Sequence, residues 1–497
     1  MNRWVDRHFF LVICAIGAGL AATLIKRALA TPFWHDEIFT ILASGLPPTT
    51  LWAASRDGLD LAPPFNTALT HVVHRIAGVG LVATRIPPLL GFLVAFVAIG
   101  VAVRRLSNAL IGISAALLLS HTAVYVYAVE ARGYGVVTGC FAVAFVAWLT
   151  YASGRGGRFA LAALTLALAA GLWTHYYFVF AVLPIVAGEV VRQYSQRRID
   201  RAFWVAMAVA VLLALPLGML LSGTLVHAKT FWGRMQPVDL RATYDVLLST
   251  LVGSRFRAMG AGLVVLLVVA WFRRRRVPSG RRLPGHVVTA GLACLVIPAV
   301  ALLFARTIGH DVFAPRYVMF ATAGFAFVIA LGVWRLAPAG GVIDVVVCSV
   351  LMIFFVRTVW RTFEPGRLVY ADPMARHALL TSRIDGAGGR TIVTGGTRFL
   401  EMWYYAPPDR RDRVIYLADP DAELDVTGTD AIDRGFLALA RWTDVGVHDA
   451  ATFVASERDV AVYDIGDFWQ RPGVEARGMS LEEVGRDEKG VMYRVRW

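Results

Sequence analysis

Two adjacent carboxylates, Asp36 and Glu37, sit in the stretch Thr31-Pro32-Phe33-Trp34-His35-Asp36-Glu37-Ile38-Phe39-Thr40, directly after the first long apolar run. Charges at a membrane rim are costly, so by default they point to function rather than packing. Neighbouring acids on a helix or loop point in different directions, which gives them separate jobs. One can act as general base on an incoming hydroxyl while the other orients a neighbour or binds substrate. The bland alternative is a solvated pair marking the boundary, but Phe33, Trp34 and Phe39 partly enclose it. Asp60 is a further carboxylate of the same loop, and Pro63-Pro64 fixes the chain beside it.

The cations that such acids would need as counterparts recur in four later stretches. These are Glu130-Ala131-Arg132-Gly133-Tyr134, then Trp173-Thr174-His175-Tyr176-Tyr177, then Lys229 and Arg234 flanking Phe231-Trp232, and finally Pro315-Arg316-Tyr317 after His310-Asp311. Arg offers a planar fork and Lys a point charge to phosphate oxygens. Each residue alone could merely anchor to bulk lipid headgroups, and a lone His in an aromatic belt is usually structural. What favours function is that all of them fall in loops on one side. His35, Asp36, Glu37, His310 and Asp311 also raise a divalent metal ion as a possible cofactor, although no spacing matches a zinc or EF-hand site.

The elements that must position these residues are membrane helices. The chain has 497 residues, 57% hydrophobic and only 17% charged, with a mean hydropathy of +0.59. That composition predicts a polytopic α-helical membrane protein of about eleven spans. The runs are Phe9–Ile25, Ile86–Val103, Ala109–Tyr127, Gly135–Tyr151, Phe159–Trp173, Tyr177–Val191, Phe203–Leu221, Ala258–Phe272, Val287–Phe304, Tyr317–Val333 and Val342–Val356. The net charge of +14 does not indicate nucleic acid, because its Arg clusters lie between apolar runs. Arg104-Arg105, Arg155 with Arg158, Arg192–Arg201, Arg273–Arg282 and Arg335 all follow an even-numbered run. The positive-inside rule then gives a cytoplasmic N-terminus, a multi-pass protein of the cytoplasmic (inner) membrane and an extracytoplasmic C-terminus. Lys26-Arg27 and Arg357/Arg361 are outvoted. Cys14, Cys140, Cys294 and Cys348 all fall inside apolar runs and read as small buried hydrophobes. Met1–Arg7 with Phe9–Ile25 reads as an uncleaved first span, because no small-residue cleavage site follows.

Within the first outward loop, 26–85, Phe65–Gly78 carries Phe65, Leu69, Val72, Val73 and Ile76 at helical spacing. It is too short to span and predicts a helix lying in the outer interface. After Val356 the composition becomes rich in Asp, Arg and Gly. Short strands are expected at Arg390–Thr394, Val414–Leu417, Thr452–Ala455, Val460–Asp464 and Val491–Val495, with helices at Arg398–Tyr405 and Ala431–Trp442. The domain division expected is thus 1–358, membrane and catalytic, and 359–497, a small soluble α/β domain.

Taken in order, Trp34-His35-Asp36-Glu37, Ala62-Pro63-Pro64-Phe65, Thr84-Arg85-Ile86-Pro87, Glu130-Ala131-Arg132-Gly133-Tyr134, Thr174-His175-Tyr176-Tyr177 and Pro315-Arg316-Tyr317 resemble a known set. The set is that of GT-C membrane glycosyltransferases of the family 39 type, which includes protein O-mannosyltransferases, the lipid A aminoarabinose transferase and core galacturonosyl transferases. The likeness covers roughly Met1–Val356. It implies a GT-C-like fold and inverting transfer of a sugar from a polyprenyl-phosphate donor to an acceptor hydroxyl on the outer face. It also implies Asp36 as the base, and Arg85 enters the candidate substrate-binding set through its motif. The departures are Ala62, where the family usually has His, and Val129, where it has Gln; both bear on substrate contacts.

The partners expected are that donor, an envelope glycan, lipid or protein acceptor, and membrane lipids. A transporter or flippase is the competing reading. It expects ionisable residues at the midplane and repeat symmetry, whereas Glu189 and Asp344 lie near span ends and no repeat is evident. A non-catalytic scaffold is the third.

Overall fold

The computed structural model describes residues 2–222, 239–248, 282–307, 312–336, 341–386, 389–450, 452–453, 460–466, 469 and 480–496. Its contacts divide the chain into two compact units, which are taken in turn.

The first unit holds Met1–Ala28, Arg85–Leu217 and the described residues up to Leu368. Its helices are α1 (Asn2–Arg7), α2 (Phe9–Ala30, which runs two residues past the unit), α6 (Ile86–Leu106), α7 (Ala109–Leu119), α8 (Val124–Tyr127), α9 (Tyr134–Ala152) and α10 (Gly157–Leu172). They continue as α11 (Val182–Gln196, entered through a 3₁₀ turn at Tyr176–Ala181), α12 (Arg201–Ala214), α13 (Leu240–Leu247), α14 (Gly285–Thr307), α15 (Ala321–Leu336) and α16 (Val342–Phe363). Among the described residues six helices are long and apolar enough to cross a membrane, and four shorter helices are also apolar. The protein is therefore a multi-pass membrane protein, and every expected span except 258–272 coincides with a described helix. That run lies outside the described residues.

The third run is not one continuous helix as expected. It breaks at Ser120–Ala123, where the hydroxyls of Ser120 and Thr122 donate back to the carbonyls of Leu117 and Leu119. The seventh run likewise ends its first helix at Ala214, ahead of Pro216.

Small residues let α6 and α9 touch backbone to backbone. A Cβ placed on Gly135 would lie 2.0 Å from the Pro88 carbonyl oxygen, and one on Gly91 would lie 2.5 Å from that of Gly135. At the ends of α9, α11 and α12, fully buried Glu189 accepts from Arg192 Nε (2.9 Å), Trp148 Nε1 (3.0 Å) and Gln193 Nε2 (2.6 Å). Arg192 also bridges to Asp200 at 2.6 Å. The charge of Glu189 is thus consumed in a structural network.

The second unit holds Leu29–Thr84, Gly218–Pro237 and Val369–Trp497. Its helices are α3 (His35–Ser44), α4 (Pro48–Arg56), α5 (Phe65–Ala77), α17 (Ala378–Asp385), α18 (Gly396–Tyr405), α19 (Pro420–Thr427) and α20 (Ala431–Ala440). The six strands are β1 (Thr391–Val393), β2 (Val414–Ala418), β3 (Val447–Asp449), β4 (Ala461–Asp464), β5 (Ser480–Arg486) and β6 (Val491–Arg496). They form one sheet in the order β3-β2-β1-β4-β6-β5. β1 runs parallel to β2 and β4, β2 runs parallel to β3, and β6 runs antiparallel to β4 and β5. The parallel strands β1 and β2 are buried at every residue: Val393, Val414 and Tyr416 pack on helix residues such as Phe399 and Phe436, while Ile392, Ile415 and Leu417 pack in a second cluster with Val462 and Val495.

Two expectations are corrected here. Thr452 and Phe453 form no strand: the Asp449 carboxylate and carbonyl capture their amides in a turn after β3. The boundary at 358 does not isolate the C-terminal domain either, because Phe33, Ile38 and Ile41 of the first loop share one core with Phe399, Trp403 and Phe436.

Helix α5 is inside out for a water-soluble unit. Asn66, Thr67 and Thr70 are buried, and His71 and His74 bond to Ser44 of α3. Val72 and Ile76, by contrast, are 53% and 82% exposed. That is the polarity of a helix resting on lipid.

Candidate active site

In the second unit, Asp36 and Glu37 occupy the first turn of α3, where negative side chains meet the positive end of the helix dipole. Their environments differ. Glu37 is 1% exposed and its carboxylate accepts the Trp34 N–H at 3.4 Å, the bond that a third-position acid makes to a helix N-cap. Asp36 is half-buried, and its carbonyl takes the Thr40 hydroxyl at 3.0 Å as the helix winds on.

His35 turns its ring edge-on to Phe436 at 5.5 Å. Among the described residues no three His, Cys, Asp or Glu side chains gather to hold a metal, so no step is routed through one. Asp60 accepts the Ala62 N–H at 3.1 Å, an Asx turn that leads into Pro63-Pro64.

In the first unit, three loops converge. Tyr134, at the start of α9, stands 6.3 Å from the His175 ring and 5.1 Å from that of Tyr127. His175 in turn lies 5.0 Å from Tyr317 and 6.0 Å from Tyr177. The Tyr177 hydroxyl donates to the Val312 carbonyl, which ties the second loop to the third. The cations accompany these rings. Burial, with the guanidiniums of Arg132 and Arg316 close by, holds His175 below its ordinary range, so the imidazole is neutral at physiological pH. Tyr127 lies within electrostatic reach of both Glu130 and Arg316. An aromatic box holding two cations and a neutral imidazole donor or acceptor suits a phosphate with an apolar tail.

Arg85 stands elsewhere. It is fully buried and donates to the Ala28 carbonyl at 2.7 Å, placing a cation at the last turn of α2. Tyr176, half-buried, opens the 3₁₀ turn after His175. Lys229, Arg234, His310 and Asp311 lie outside the described residues. Sequence reasoning passed over Tyr127, Tyr177 and Phe313 as members of this box. Their one signal was adjacency to the motifs, and interfacial aromatics are too ordinary to stand out.

No family model matches the sequence, and no curated protein sequence matches it. In fold, the chain is similar to the crystal structure of ArnT from Cupriavidus metallidurans in the apo state. That match has a TM-score of 0.63 and 13% identity, covering 99% of this chain and 97% of that one. It is also similar to ArnT from the same organism bound to undecaprenyl phosphate, with a TM-score of 0.59 and 14% identity, covering 99% and 98%. Along nearly its whole length the chain thus shares the fold of ArnT.

Proposed function

We propose that the protein is an inverting glycosyltransferase that moves a sugar from a polyprenyl-phosphate donor to an acceptor hydroxyl on the outer face of the cytoplasmic membrane. The observation that carries the reading is the convergence of Arg132, His175 and Arg316 in one aromatic box. The likeness in fold to a protein seen with undecaprenyl phosphate bound supports a donor of that class.

The leaving group is a phosphate, already a stable anion, so no general acid is needed. Asp36 takes the proton from the acceptor hydroxyl as its oxygen attacks the anomeric carbon from the face opposite the phosphate. The bond from that carbon to the phosphate oxygen breaks, and its electron pair leaves with the polyprenyl phosphate. Arg132 and Arg316 stabilise the charge that develops there. Glu37 supports the turn that carries Asp36. The N-terminus is cytoplasmic, the α5 ridge rests on the outer leaflet, and the acceptor is a glycan, lipid or protein of the envelope.

The test is mass spectrometry of envelope glycans, lipids and glycoproteins from cells with and without the gene. One sugar should vanish on deletion and return on complementation. Uptake of a labelled substrate into vesicles with no covalent glycosyl product would replace this reading by that of a transporter.

A further inference from the structure

Trp34, the N-cap of α3, is extended, at φ −102° and ψ 174°, and it links Phe33, which belongs to no strand, to His35, the first residue of the helix. In such backbone successive N–H groups point to opposite sides, and buried ones must find partners. Here each finds a side chain. The Trp34 N–H goes to Glu37 of its own helix. The Phe33 N–H donates to the Tyr405 hydroxyl at 2.6 Å, and the His35 N–H donates to the Glu401 carboxylate.

Glu401 and Tyr405 are four residues apart on α18 and therefore lie on one face, one turn apart. Residues 33 and 35 flank the extended Trp34, so their N–H groups also share a side. The two spacings match. Phe33, 4% exposed, adds an edge-to-face contact with Tyr404 at 6.0 Å. Arg398 holds Glu401 at 3.1 Å, and Tyr370 bonds to Tyr405.

We propose that Glu401 and Tyr405 of the C-terminal domain are positioning residues for Asp36, which makes that domain part of the catalytic machinery rather than a cap or an accessory binding module. The proposal rests on the reading of Asp36 as base. Asp36 is the residue next after the second clamped amide, so a shift of the lead-in moves it directly. Misplacing a reacting group by about 1 Å can cost about a hundredfold in rate.

The experiment uses the full chain. Tyr405→Phe removes one oxygen and keeps the ring. Glu401→Leu removes the acceptor, while Glu401→Gln keeps an amide oxygen for the His35 N–H. Hydrogen exchange is followed on the segment 31–40 of purified protein. Transfer is read in cells as the sugar that disappears on gene deletion. Exchange at Phe33 in Tyr405→Phe and at His35 in Glu401→Leu should quicken about tenfold, the size of one lost hydrogen bond. Transfer should fall at least tenfold with the melting temperature little changed, and Glu401→Gln should restore both. Unchanged exchange, or quickened exchange with full transfer, overturns the proposal. Should Glu401→Leu fail to accumulate, Tyr405→Phe alone decides it. Full transfer by Asp36→Asn would instead defeat the base assignment and leave the exchange result standing, so the two failures are distinguishable.

Discussion

Replacing Asp36 and Glu37 one at a time, each by its own amide, should give opposite phenotypes although the two residues are adjacent. Asp36→Asn changes no volume in a half-buried first-turn position. The helix loses one favourable dipole interaction, about 0.3–1 kcal/mol, so folding and insertion are retained. Removing a general base slows proton transfer by about 10²- to 10⁴-fold, which is about 3–5 kcal/mol of barrier. Glu37→Gln sits at 1% exposure and weakens the charged bond to the Trp34 N–H. Exchanging a charge-assisted hydrogen bond for a neutral one costs about 1 kcal/mol of stability. Its amide oxygen still accepts, so transfer should stay within about threefold of wild type, a difference of less than one decade in barrier terms. The assay pairs the melting temperature of purified protein with the deletion-sensitive sugar in complemented cells. If Asp36→Asn transfers at the wild-type level, or if both variants are inactive with unchanged stability, the division of labour between the two acids is wrong.

Arg316→Gln and Arg132→Gln should each weaken donor use by about ten- to a hundredfold, the loss of one charged hydrogen bond at about 1.5–3 kcal/mol. Binding of undecaprenyl phosphate to purified variants, measured by native mass spectrometry, checks this. Gly135→Ala should destabilise the first unit by about 1–3 kcal/mol, because its methyl group meets the backbone of Pro88 rather than a flexible side chain. The thermal melt in detergent reports it.

Burial, then the like charges of Asp433 and Asp430, push Glu423 up from 4.5 to about 7. The folded chain therefore holds a proton that the unfolded chain has released, and stability falls as pH rises from about 4.5 to about 7. The span is on the order of 3 kcal/mol, and Glu423→Gln should flatten it in melts taken across that range.

The membrane helices were legible because a long apolar run has few alternatives to a buried or lipid-facing helix. The break at Ser120–Ala123 was not, because two small hydroxyl residues inside such a run look harmless until their hydroxyls turn back on the helix end. The strands β1, β2, β4 and β6 announced themselves as short apolar β-branched runs. By contrast β5, Ser480–Arg486, is a largely exposed edge with two adjacent glutamates, and β3 is only three residues long. At the candidate site, the acidic pair stands out in the sequence because two adjacent carboxylates follow directly on an apolar run. The clamp on Phe33 could not be read there, because its donor and acceptor are 372 residues apart in sequence and no local pattern links them. The bond from Arg85 to the Ala28 carbonyl could not be read either, because the two residues are 57 apart in sequence.

The shared core of the first loop and the C-terminal segment also sets a schedule for biogenesis. Its two halves are separated by roughly 280 residues of chain, most of which belongs to the first unit. At ~5–20 residues per second, on the order of 20–75 s of synthesis divides the emergence of Phe33 from that of Trp403. During that interval Asp36 stands on a loop without its partners, so, on the proposed function, the nascent protein should be inactive until residues 369–497 have folded against the first loop. Activity thereby becomes a late check on completed translocation, and C-terminally truncated chains would be silent even if fully inserted.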